Sequence, residues 1–200
     1  MARATRALRR RDPALRAWIR ALGPCTLAPG RQPDHLTALV RSIVYQQLSG
    51  RAASTIFARL VALLPARAGV ATPRLRAAGL SHSKITYLRD LCARIDDGRL
   101  VLERISEQSD AEAESALTQV RGLGRWSAHM FLLFHLGRPD VWPLDDLGVR
   151  KALMRLDGLL DVPTPRDVER RGDVWRPYRS VASWYLWRAL DAGAALDVGW

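Results

Sequence analysis

The chain has 200 residues, 48% of them apolar, which suits one domain or two small lobes sharing a core-forming sequence. Lysine and arginine number 31 against 20 acidic residues, and the resulting net charge of +11 calls for a polyanionic partner. No apolar run approaches the ~20 residues of a membrane-spanning helix. The two cysteines, Cys25 and Cys92, lie far apart, too few for a zinc or iron–sulfur set, and suit a reduced, intracellular protein.

The opening MARATRALRRRDPALRAWIR is basic and acid-poor, a trait shared with organellar transit peptides, and is expected to be a flexible basic arm leading into an ordinary helix. Leu36, Leu39, Val40, Ile43 and Val44 then recur at helical spacing, as do Ala53, Ile56, Phe57, Leu60 and Leu64, with Gly50 separating the two segments. Thr72-Pro73 and Thr164-Pro165 each offer a cap followed by proline at the first helical position, and Ser109 with Glu112 forms a capping box. No alternating run, internal repeat or low-complexity linker interrupts this pattern. The expectation is an all-α chain of roughly ten helices.

The most informative stretch is Leu117–Asp146, LTQVRGLGRWSAHMFLLFHLGRPDVWPLDD. In its first part, Gly122 and Gly124 can take positive φ and leave no Cβ over a turn, so a phosphate can approach the backbone. A helix starting at Gly124 aims its unpaired N–H groups and positive dipole end at that phosphate, with the Gly122, Gly124 and Ser127 amides as donors. Leu117, Val120 and Leu123 would anchor such a helix-hairpin-helix from below, and Ala128 would let its helices pack closely. A glycine C-cap joining two core helices accounts for the turn alone equally well.

In its last part, Trp142-Pro143-Leu144-Asp145-Asp146 leads into another helix. One aspartate at a helix start is an N-cap, worth ~1 kcal/mol. A second one remains to be explained.

Here the chain resembles the helix-hairpin-helix DNA glycosylases, and within them the 3-methyladenine DNA glycosylase II (AlkA-type) group, whose hallmark is this hairpin followed about twenty residues on by a Pro-x-Asp-Asp helix start. Leu39–Ala53 is similar to the group's first core helix and its minor-groove loop, Leu75–Ile95 to its central helical pair, and Trp175–Arg188 to its C-terminal helix. The resemblance covers most of residues 36–190, in order.

The resemblance implies a single glycosylase domain over 1–200 in two helical lobes, about 36–138 and about 1–35 plus 139–200, with the active site in the cleft between them. It implies a catalytic carboxylate at Asp146, a base pocket of Trp126, Trp187 and Met130, and DNA contacts from Gln46, Gln47, Gly122, Gly124, Arg125 and Ser127. Gln47 falls at the position of the wedge that fills the gap left by an extrahelical base. Well-known relatives carry an apolar wedge there, and an aromatic where Met130 stands.

The activity implied is base excision from double-stranded DNA containing damaged bases, acting on alkylated purines of the 3-methyladenine type. Nicking of the backbone is not expected, because Trp126 stands where lyases of the superfamily have lysine, and Lys84 and Lys151 are the only lysines in the chain. No cofactor is required and no iron–sulfur cluster is expected. A sodium or potassium ion on the carbonyls of Thr118, Val120 and Leu123 is part of the family pattern. A monomer in the bacterial cytoplasm, at the nucleoid, or in a eukaryotic nucleus completes the expectation. Two alternatives stay open: the same fold acting on another damaged or mispaired base, and a non-catalytic DNA-binding module that uses the hairpin only to grip phosphate. Trp18, Trp175 and Trp184 are expected to be structural, and His129 and His135 ordinary helix residues.

Overall fold

A computed structural model describes residues 1–28, 30, 32–48, 50–63 and 70–193, and the described residues form eleven α-helices with no strand. In order they are α1 (Ala2–Arg11), α2 (Pro13–Leu22), α3 (His35–Tyr45), α4 (Gly50–Val61), α5 (Thr72–Ala77), α6 (His82–Asp96), α7 (Asp110–Thr118), α8 (Arg125–Phe134), α9 (Leu147–Leu156), α10 (Pro165–Gly172) and α11 (Arg179–Ala192). Short 3₁₀ turns at Leu102–Arg104 and Asp173–Trp175 complete the set. None of these helices is long and apolar enough to cross a membrane.

Several boundaries follow from local chemistry. Ser109 with Glu112 and Thr164 with Asp167 form reciprocal capping boxes at α7 and α10. The expected cap at Thr72 is not one: α5 begins at Thr72 itself with Ala71 before it, and the Thr72 hydroxyl instead accepts a bond from Arg89 at 2.6 Å. Leu64, the last member of the second apolar stripe, lies outside the described residues.

The chain divides into two compact units, Met1–Pro29 with Gly137–Trp200, and Gly30–Leu136. In the first, α9 packs on α11, and α1 and α2 close around the same helix, burying Leu8, Leu15, Val149, Leu153, Leu156, Tyr185 and Leu186. The opening is therefore a packed helix, not the flexible arm its basic composition suggested, because Ala4, Ala7 and Leu8 give α1 an apolar face. Trp18 and Trp175 belong to this core, whereas Trp184 is half-buried with Tyr185 edge-on at 4.9 Å. Asp12, 4% exposed, caps α2 and also accepts from Trp175 Nε1 at 2.8 Å and Arg171 at 2.6 Å, so a buried carboxylate is fully paired.

In the second unit α3 is the central helix, touched by α4, α6 and α8, and Leu39, Val40, Ile43 and Val44 on it are all buried. Helices α7 and α8 pack side by side, with Leu117, Val120, Leu123 and Ala128 buried beneath the connection. His135 and His35 share a hydrogen bond of 2.8 Å there, and His35 continues to the Ser106 hydroxyl at 3.0 Å.

Candidate active site and DNA-binding hairpin

The carboxylate corner belongs to the first unit. Its turn is anchored on both sides: the Val141 amide donates to Ser180 Oγ at 3.0 Å, and the Trp142 indole donates to the Val168 carbonyl at 2.8 Å. A bond from the Asp146 amide to the Pro143 carbonyl, 2.9 Å, then sets the entry into α9.

Asp146 is itself the N-cap of α9. Its Oδ1 accepts from the Val149 amide at 2.8 Å and, on the same atom, from the Trp187 indole N–H at 2.8 Å. The capping role therefore falls to the second aspartate, not the first, and exposed Asp145 precedes it. An N-cap normally needs one donor. A second, from a helix forty residues further along the chain, fixes the plane of the carboxylate as well as its position.

Gly148 makes that arrangement possible. A Cβ there would stand 2.9 Å from Asp146 Oδ1 and 3.0 Å from Trp187 Cδ1, within the space the two side chains share. Sequence inspection passed over Gly148, and placed Trp187 only as a base-facing aromatic; a glycine two residues after the aspartate was the available signal.

A cavity of about 950 Å³ also lies in this unit, lined by Leu153, Asp157, Leu160 and Val168 among others. It sits toward the C-terminal end of α9, whereas Asp146 caps its N-terminal end, roughly 15 Å away at 1.5 Å per residue. Its size does not connect it with the carboxylate.

The hairpin belongs to the second unit. Gly122 has φ +80°, and its α-carbon lies against the Tyr87 ring so closely that a Cβ would come within 2.3 Å of it. Only glycine meets both conditions. Gly124, expected to share that conformation, has φ −88° and caps α8 through ordinary extended backbone. Nothing lies within 4 Å of where its Cβ would be, so the space beside Gly124 itself is open. The first N–H groups of an α-helix carry the positive end of its dipole, and those of α8 follow directly on Gly124.

Two side chains hold the turn. Asp90 Oδ2 accepts from the Arg121 amide at 2.8 Å, and Gln46 Nε2 donates to the Gly122 carbonyl at 2.8 Å and lies 3.5 Å from the Ser127 hydroxyl. Burial pushes the Asp90 carboxyl up, but the Arg121 amide and the Arg94 and Arg99 guanidiniums outweigh it and leave the group below its ordinary value. Gln46, expected to face DNA, thus has its side-chain amide committed inside the unit, while exposed Gln47 stands at φ +57° beyond it.

Arg125 is half-exposed and bonded to Glu114 on α7 at 2.9 Å, and Glu114 also pairs with Nε2 of buried His129 at 2.9 Å. Trp126, 46% exposed, and half-buried Met130 lie on α8 in this unit, whereas Trp187 lies in the other. No group of three or more His, Cys, Asp or Glu side chains among the described residues could hold a metal ion. A monovalent cation on backbone oxygens is a separate matter. The Val120 carbonyl already accepts from the Leu123 amide at 3.0 Å, and a carbonyl's second lone pair still suits a hard cation.

A glycine turn joining two packed helices, with the second helix starting at an unobstructed glycine, defines the helix-hairpin-helix class of DNA-binding folds. Comparison with known proteins narrows this. The sequence model of the HhH-GPD superfamily of base excision DNA repair proteins matches residues 40–177. DNA-3-methyladenine glycosylase 1 of Schizosaccharomyces pombe is 34% identical over 160 residues, covering 75% of this chain and 70% of that protein. The structure of the S. pombe 3-methyladenine DNA glycosylase Mag1 in complex with abasic DNA superimposes with a TM-score of 0.81 at 29% identity, covering 93% of this chain and 95% of that one. A DNA-3-methyladenine glycosidase from Bacillus halodurans gives 0.79 at 31% identity, covering 96% and 88%. The chain belongs to the HhH-GPD superfamily of base excision DNA repair proteins.

Proposed function

We propose that this protein is a monofunctional DNA glycosylase that takes alkylated purines of the 3-methyladenine type out of double-stranded DNA and hydrolyses their N-glycosidic bond, acting as a monomer. The observation that carries this reading is Asp146, a carboxylate whose Oδ1 receives two N–H donors from separate helices. The names of the relatives supply the substrate class.

Breaking the bond between C1′ and the base nitrogen builds positive charge on the deoxyribose, as in other oxocarbenium-like reactions. A carboxylate already oriented before reaction stabilises that charge without reorganising. Water then adds at C1′, and its proton passes to the carboxylate or to solvent. A purine made cationic by alkylation leaves as a neutral base, so no acid is needed on the leaving group. Indole faces favour such a cation by ~0.5–2 kcal/mol, and Trp126 and Trp187, with Met130, are the side chains assigned to the base.

Gln47 is assigned to the gap in the duplex, and the Gly122, Gly124 and Ser127 amides with Arg125 to the phosphates. A sodium or potassium ion would be held by the Thr118, Val120 and Leu123 carbonyls and would add positive charge beneath a phosphate. Lyase chemistry has no support in the lysines: Lys84 Nζ donates to two backbone carbonyls, and Lys151 is an exposed residue one turn into α9.

The test uses end-labelled duplexes carrying one 3-methyladenine-type lesion, hypoxanthine, ethenoadenine, uracil or 8-oxoguanine, scored for strand breaks with and without hot alkali. Alkali-dependent breaks at the alkylpurine, absent in Asp146→Asn, are expected. Breaks at another base alone would reassign the substrate, and binding without breaks on any duplex would leave a DNA-binding module.

A further inference from the structure

The helix that follows the α5 turn presents three side chains to the second unit's DNA-facing segments, and the assigned function uses none of them. Lys84, Tyr87 and Asp90 follow one another at i, i+3 and i+6 on α6, a stripe roughly 9 Å long at 1.5 Å per residue. Asp90 holds the Arg121 amide at 2.8 Å, Tyr87 lies under Gly122, and Lys84 Nζ donates to the carbonyls of Val44 at 2.7 Å and Gln46 at 2.8 Å.

The carbonyls of Val44 and Gln46 belong to the end of α3, where the last C=O groups have no intrahelical donor and the dipole is negative. An ammonium there satisfies two of them at once. The next residue, Gln47, adopts φ +57°, the one positive value among the described residues other than glycine. A non-glycine residue persists in that region, at a cost of about 1 kcal/mol or more, only where its surroundings over-determine it. Lys84 at the Gln46 carbonyl and the Gln46 side chain at the Gly122 carbonyl are the surroundings that do so.

We infer that the Lys84–Tyr87–Asp90 face of α6 is a template that sets the Gln47 loop and the hairpin turn in one fixed relation, so that gripping a phosphate and entering the duplex occur together. Lys84 is a positioning residue for the wedge. It acts through the Gln46 carbonyl and touches neither DNA nor base. This rests on the proposed function, in which the loop enters the duplex and the hairpin binds phosphate.

A positioning role predicts a selective defect. Lys84→Met removes the ammonium and keeps most of the aliphatic stem, whereas Lys84→Gln keeps an N–H donor and Lys84→Arg keeps both charge and donors. Single-turnover excision of 7-methylguanine is measured in two duplexes, with the lesion opposite cytosine or opposite a tetrahydrofuran abasic analogue. Flipping costs least for an unpaired base, so Lys84→Met is expected to slow the paired lesion about tenfold and the unpaired one about threefold or less. Lys84→Gln is expected to fall between Lys84→Met and wild type, and Lys84→Arg close to wild type. Equal slowing on both duplexes would mean general damage to the fold, and no slowing would mean that the contact is idle; either overturns the inference.

A second readout does not depend on catalysis. Hydrogen exchange is followed at the Gln47, Leu48 and Arg121 amides in wild type and the Lys84 variants, with and without a duplex containing tetrahydrofuran. In wild type all three are expected to gain protection together on binding; in Lys84→Met the gain at Gln47 and Leu48 is lost while that at Arg121 remains. Identical protection in both proteins overturns the template. If the wild-type protein excises no base, the proposed function fails and this exchange pattern alone decides the inference.

Discussion

The carboxylate corner and the hairpin unit use hydrogen bonds to opposite ends. At Asp146 two donors converge on one oxygen of one side chain, in space that Gly148 leaves clear by having no Cβ. Around the hairpin the bonds are spread over the backbone of two segments, from Lys84, Asp90 and Gln46. A group that must be ready when charge develops is fixed individually. A surface that must match a long polyanion is fixed as a frame, with its contacts shared. Substitutions in the corner should therefore change the rate with little effect on binding, and those in the hairpin should do the reverse.

Asp146→Asn tests that contrast most severely. Asparagine caps a helix as well as aspartate does, so the melting temperature should stay near wild type. Excision in single turnover should drop by a factor on the order of 10²–10³ or more, while duplex affinity is unchanged or higher, since a negative charge has gone. Loss of both stability and binding would show that the corner is structural.

Gly122→Ala is the matching break in the hairpin. The added methyl meets both the +80° φ and the Tyr87 ring, so a loss of roughly 1–3 kcal/mol is expected in urea unfolding. Affinity for an undamaged duplex should weaken alongside it.

Trp187→Phe sharpens the comparison by removing one donor while keeping an aromatic ring. Leaving Asp146 with the Val149 amide alone should slow the chemical step by about tenfold to a hundredfold, the range that ~1.5–3 kcal/mol for a hydrogen bond to a charged group implies. Affinity for tetrahydrofuran duplex should be retained. A change in affinity with no change in rate would assign Trp187 to the base alone.

Arg125→Ala should act only on binding. Its partner Glu114 keeps His129, so folding is spared, and the slope of log affinity against log salt should shrink by about one unit if the guanidinium meets a phosphate. An unchanged slope would leave Arg125 as an intra-hairpin ion pair.

The smallest effect concerns pH. His135 lies below its ordinary 6.5, held down first by burial and then by the charge of His35, with Asp34 opposing. The folded state thus binds this proton less readily than the unfolded state. Its stability is fully present above about 6.5 and is lost as pH falls through the depressed value. Melting curves across that interval should show a step that is smaller in His135→Phe, with no matching step in Asp146→Asn beyond that of wild type.

Helix spacing along the chain was legible because an apolar stripe every three to four residues is a local property, and so are capping boxes such as Ser109 with Glu112. The hairpin was legible for the same reason: a glycine turn between two short periodic segments needs only contiguous sequence. Resemblance added Asp146. What stayed hidden depends on residues distant in sequence. Two carboxylates in a row suggested that one caps and the other reacts; in the fold one residue, Asp146, stands at both the cap and the Trp187 donor. Gln46 and Gln47 both read as DNA contacts, with Gln47 at the wedge position; that the Gly122 carbonyl takes the Gln46 side chain leaves no sign in the sequence. Gly122 and Gly124 looked equivalent until Tyr87 came to lie under only one of them.

The sequence by itself determined the helical class, the starts of α7, α8, α9 and α10, the basic character and the hairpin, since each arises from propensity, periodicity or charge within a few neighbouring residues. Only the tertiary structure decided which oxygen of Asp146 is held and by whom, which glycine is obligatory, and that Lys84 and Asp90 bond to the backbone at the end of α3 and in the hairpin turn. Those facts are contacts between helices, and a hydrogen bond across 30–80 residues leaves no periodic trace in the chain that makes it.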